Sequence, residues 1–117
     1  MAKDRKEVTC NGRAALYSAL WEDIRNAAMD CGWAVALHGS LSRDMDIMAM
    51  PWIEGCTDAD TMIDTIIAKC FGDNIISEYG KKIDRTKPYG RVCYLIPIYE
   101  DFYLDISVMS NFCSLTK

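Results

Sequence analysis

The sequence predicts an α/β fold of the α+β kind, a small mixed sheet of about five strands with two main helices packed on it. Two stretches repeat apolar residues at three- and four-residue steps, the signature of amphipathic helices. Five shorter stretches have the length or the alternation of strands, and Gly, Pro or polar residues separate them. The order is helix, strand, strand, helix and three strands, which gives a sheet partly covered by two helices. The 117 residues form a single domain, 1–117, in which 1–11 is a polar N-terminal segment.

"MAKDRKEVT" opens the chain and Asn11-Gly12 punctuates it. From Arg13 to Cys31, the residues Ala14, Leu16, Tyr17, Leu20, Trp21, Ile24, Ala27, Ala28 and Cys31 line one helical face, and Gly32 stops the helix. "WAVAL" (33–37) is an apolar run of strand length that Gly39 ends. "DMDIMAM" (44–50) starts as an alternation, with Asp44 and Asp46 on one face and Met45 and Ile47 on the other. It then becomes continuously apolar to Pro51, which predicts that both faces are covered there. Thr57 or Asp58 caps a second helix that brings Met62, Ile63, Ile66, Ile67, Cys70 and Phe71 together and finishes at Gly72. Three strands follow at 74–83, 91–98 and 102–109, with Pro97 placing the middle one at an edge. Pro88-Tyr89-Gly90 and Tyr99-Glu100-Asp101 make the turns.

Composition narrows the function. Half the residues are apolar, enough for a core, yet no apolar run approaches the roughly 20 residues that cross a bilayer. No basic N-terminus leads into a signal region, so the expectation is a soluble, cytoplasmic protein without a membrane partner. Six scattered cysteines, with no C-x-x-C pair and one histidine, read as reduced thiols rather than a zinc site. The net charge of −4 argues against general nucleic-acid binding, so any polyanion must be met locally.

The unusual stretch is "HGSLSRDMDIMAMPW" (38–52), which sets two aspartates in a strand where an unpaired buried carboxylate would be costly. Residues i and i+2 of a strand face the same side, roughly 6 to 7 Å apart, so Asp44 and Asp46 can converge on one hard cation. Asp105, alone among Leu104, Ile106 and Val108, supplies a third carboxylate, with Asp101 as its rival. Mg²⁺ suits such a set, because it takes a few carboxylates and shares substrate phosphates. Gly39 has no side chain to obstruct a phosphate, and Ser40 offers a hydroxyl and a backbone N–H.

Gly-Ser, then Asp-x-Asp on the next strand, then a single Asp in a much later hydrophobic strand resembles the signature of the polymerase-β-like nucleotidyltransferase superfamily, in a minimal stand-alone form. The resemblance runs from the first helix to Val108 and rests on five positions. It implies that Gly39 and Ser40 hold nucleotide phosphates, that Asp44 and Asp46 carry Mg²⁺ or Mn²⁺, and that Asp105 is a further metal ligand and base. The implied reaction moves a nucleoside monophosphate from a nucleoside triphosphate to an unknown acceptor, a small molecule or a partner protein. Only Leu41, Ser42 and Arg43 separate the Gly-Ser from Asp44, a shorter interval than usual in that superfamily. The alternative is a catalytically inactive module of the same fold, with a binding or regulatory role.

Each site residue also has a structural reading. Asp44 is then a turn residue, Asp46 the partner of Arg43 at a sheet edge, and His38 a polar strand end. Arg43 either neutralises phosphate or pairs with a carboxylate. "KKIDRTKPYGR" (81–91) is a basic run that either receives phosphates or an acceptor or is simply solvated. The methionines of "MDIMAMPW" read as core packing, while Trp52 either stacks a base or closes the core.

Overall fold

The computed structural model describes residues 13–41, 43–72, 81–99 and 102–109. Within them two helices and a five-stranded mixed sheet form the α+β architecture that the sequence predicts. The expected turn residues Asn11, Gly12, Glu100 and Asp101, and most of the strand expected over 74–83, lie outside the described residues.

Helix α1 (Arg13–Asp30) buries Tyr17, Ile24, Ala27 and Ala28, the positions its periodicity marks. It ends at Gly32, whose φ of +84° suits a residue without a Cβ. Helix α2 (Ala59–Cys70) is capped by Asp58, whose carboxylate accepts from the Thr61 backbone N–H at 2.8 Å. Its stripe of Met62, Ile63, Ile66 and Ile67 is almost wholly buried against α1 and one sheet face. Each such side chain contributes about 1.5–3 kcal/mol of burial.

The strands are β1 (Trp33–His38), β2 (Asp44–Pro51), β3 (Lys82–Asp84), β4 (Val92–Tyr99) and β5 (Phe102–Val108). Their order across the sheet is β1-β2-β5-β4-β3. All neighbours are antiparallel except β2 and β5, which run parallel, so the chain between them must cross over, and α2 lies in that crossover. β4 is interior where β3 covers it, but β3 pairs only with Cys93 to Leu95, so Pro97 falls beyond that cover. Its missing N–H is tolerated there, as an edge position requires.

Alternation along each strand separates two faces. Met45, Ile47, Ala49, Leu104, Ile106, Val108, Tyr94 and Ile96 join the helices in the core. Asp44, Asp46, Met48 and Met50 of β2 lie on the opposite face, in register with Tyr103, Asp105 and Ser107 of β5. The expectation that both faces are covered over 47–50 is corrected here. Met48 is 53% exposed and Met50 39%, because the described helices lie on the other side of the sheet. Among the described residues no helix is long and apolar enough to cross a membrane.

Candidate metal centre

Two features bring the carboxylates together, and a third sets a histidine beside them. Pleating puts Asp44 and Asp46 on one face of β2, and the parallel register sets Asp105 directly beside Asp46. β1 returns antiparallel, so His38 is the residue opposite Asp46 on the other side. One carboxylate oxygen from each of Asp44, Asp46 and Asp105 lies within 4.8 Å of the others, and all three residues are half-buried.

Electrostatics follow from that crowding. Burial pushes the Asp46 carboxyl above its usual range, and the Asp105 charge pushes further in the same direction. His38 opposes the shift, and Asp44 adds to it. No Lys or Arg forms an ion pair with Asp46 or Asp105 among the described residues. The structural alternative of an Asp46–Arg43 pair is therefore absent there: the Arg43 residue is exposed, and β2 is an interior strand.

The turn ahead of β2 is tightly fitted. Gly39 has φ of +82°, and a Cβ there would sit 2.7 Å from Asp46 Oδ2. The absent side chain thus makes room for the Asp46 carboxylate itself. Ser40 follows it, exposed, and Leu41 takes φ of +61°, which lets the short interval turn back into β2. Gly39 therefore adjoins the Asp46 carboxylate, and Ser40 is the next residue of the turn.

Two supporting residues carry no signal in the sequence that marks them as part of the site. Tyr17, fully buried on α1, donates its hydroxyl hydrogen to the Arg43 carbonyl and accepts from the Tyr103 backbone N–H at 3.3 Å. It ties the entry of β2 to β5, next to Asp44 and Asp105. Cys93 on β4 donates its thiol to Asp105 Oδ1 at 2.7 Å. Burial and the adjacent carboxylate push that thiol up to about 12, so it stays protonated as a donor at neutral pH. Tyr17 reads in the sequence only as a core position and Cys93 only as a buried thiol, because the strand pairing that gives each its role is non-local.

The donor set fits a hard divalent cation: three carboxylates with no neutralising Lys or Arg on Asp46 or Asp105, in a cluster whose self-repulsion a cation would relieve. Comparison of the chain with protein-family models, with curated proteins and with solved structures finds no match in any of the three.

Proposed function

We propose that the chain is a metal-dependent nucleotidyltransferase that moves a nucleoside monophosphate from a nucleoside triphosphate to an acceptor, releasing pyrophosphate. The observation that supports it most is the convergence of Asp44, Asp46 and Asp105 from two adjacent parallel strands beside the Gly39-Ser40 turn. Asp44, Asp46 and Asp105 would hold Mg²⁺ or Mn²⁺, which supplies charge neutralisation for the phosphates and the departing pyrophosphate. The Ser40 hydroxyl and the turn's backbone N–H groups receive the triphosphate, and the Arg43 guanidinium adds a positive charge nearby. The acceptor oxygen forms its bond to the α-phosphorus as the bond to pyrophosphate breaks. Asp105 takes the acceptor proton.

One observation favours a second reading, a nucleotide-binding module without turnover. Three residues join Ser40 to Asp44, and so tight a turn presents fewer N–H groups than a helix N-terminus does. A screen of labelled nucleoside triphosphates with Mg²⁺ or Mn²⁺ separates the two. The enzyme reading expects pyrophosphate release that Asp105→Asn abolishes, whereas the module reading expects binding with no release.

A further inference from the structure

The open sheet face carries a groove of about 320 Å³ immediately beside the three carboxylates. Its floor is apolar, made by Ala34 and Ala36 of β1, Met48 and Met50 of β2, and Met109. Register explains the placement. Ala36 pairs with Met48 and Met48 with Ser107, one pleat repeat beyond the row of His38, Asp46 and Asp105, hence roughly 7 Å from it. One cation enters this apolar surface. Arg91, from the basic run 81–91, lines the groove and donates from Nη1 to Ser107 Oγ at 2.8 Å. A guanidinium has five N–H donors, and no carboxylate forms an ion pair with Arg91 among the described residues. The nearest acid of its own run, Asp84, is engaged by Thr86 through both its backbone N–H and its hydroxyl.

We propose that this groove is the acceptor site, and that it takes a small molecule with an apolar body, one anionic oxygen group and a nucleophilic hydroxyl. The assignment rests on the nucleotidyl-transfer reading of the adjacent carboxylates. Its geometry comes from the requirement that attacking and leaving oxygens lie on opposite sides of the reacting phosphorus. β1 runs along the groove floor to His38 and only then reaches Gly39-Ser40, so the proposed pyrophosphate end and the groove lie on opposite sides of the carboxylates. An attacking hydroxyl therefore comes from the groove. The apolar floor accepts the body of the molecule, and the Arg91 fork accepts a carboxylate or a phosphate. The volume matches the lower end of small-molecule sites.

The test uses the full metal-free chain with methyl-labelled methionines and three probes: 3-(4-hydroxyphenyl)propanoate, 2-(4-hydroxyphenyl)ethyl phosphate and the uncharged 3-(4-hydroxyphenyl)propanamide. Saturable shifts are expected at the Met48, Met50 and Met109 methyls, with the buried Met45 and Met62 unmoved. The two anions compare carboxylate with phosphate. At least one should bind about tenfold more tightly than the amide, a preference that Arg91→Gln removes while leaving amide binding intact. Ala36→Phe, on an exposed strand position, should fill the groove and abolish the shifts in a folded protein. Silent groove methyls, or an amide that binds as tightly as both anions, would overturn the proposal. In the presence of Mg²⁺ and a nucleoside triphosphate, a groove-bound probe should accelerate pyrophosphate release. Probe binding without release from any triphosphate would end the transfer reading and the acceptor role together. Release from wild type without groove shifts would remove the acceptor site alone.

Discussion

Replacing Asp46 by Asn tests whether the carboxylates form a cation site or a structural ion pair. Three carboxylate oxygens within 4.8 Å repel pairwise by about 0.9 kcal/mol in water and by about 3.5 kcal/mol at an effective dielectric of about 20. Solvent reaches all three half-buried groups, so the lower figure governs. Neutralising Asp46 removes two of the three repulsions, and the apo protein should gain between about 0 and 2 kcal/mol. The same change removes a ligand oxygen that a divalent cation needs. Wild type at a free-ligand concentration about a hundredfold above its dissociation constant should gain about 2.7 kcal/mol, or about 10 °C in melting temperature for a chain this size. Asp46→Asn should gain nothing. Thermal melts of both proteins, with and without Mg²⁺ and each nucleoside triphosphate, provide the measurement. Loss of several kcal/mol in the apo variant, together with a wild type indifferent to every metal and nucleotide, would show Asp46 to be a structural partner and not a cation ligand.

The same site yields further expectations. Because burial, with the Asp105 charge, raises the Asp46 carboxyl, its contribution to apo stability is fully present below about pH 3.8, its unfolded value, and is lost as pH rises through the folded value; urea melts should show wild type losing ground to Asp46→Asn over that rise, and the opposite slope would contradict the upward shift. Gly39→Ala forces a Cβ to within 2.7 Å of Asp46 Oδ2, whereas Gly55→Ala, at the same φ of +82°, meets nothing within 4 Å. Both should lose about 1–2 kcal/mol of backbone strain energy, but only Gly39→Ala should also weaken Mn²⁺ binding, as titration calorimetry would register. Cys93, buried and raised to about 12, should react with iodoacetamide at pH 8 only as fast as the chain opens, and rapid alkylation of Cys93 itself, located by peptide mapping, would contradict its bond to Asp105.

The candidate site was legible where period-two alternation carried it. Asp44 and Asp46 had to share a face, and Asp105 had to stand opposite Leu104 and Ile106, because strand geometry permits nothing else. That β2 and β5 are neighbours, and parallel, was not legible, since a contact spanning about half the chain leaves no local trace. For the same reason the roles of Tyr17 and Cys93 were hidden. Met48 and Met50 were misread as covered: a methionine on an open sheet face and one in a core look alike in an apolar run. The helices were legible because each has one apolar stripe and a local stop, with Asp58 the cap of α2 and glycine after each end. Arg91 stood out only as one charge in a basic run, and the turn of Pro88 to Gly90, with Tyr89 at φ of +65°, sets it at the edge of the open face.

If Asp44, Asp46 and Asp105 together hold a divalent cation beside the Gly39-Ser40 turn, the ion should be visible there. An anomalous difference map from crystals grown with Mn²⁺ and a non-hydrolysable nucleoside triphosphate tests it directly. A manganese peak bounded by oxygens of all three aspartates, with the triphosphate reaching Ser40, is the predicted result. Manganese bound elsewhere, with nothing among the three carboxylates, would contradict it.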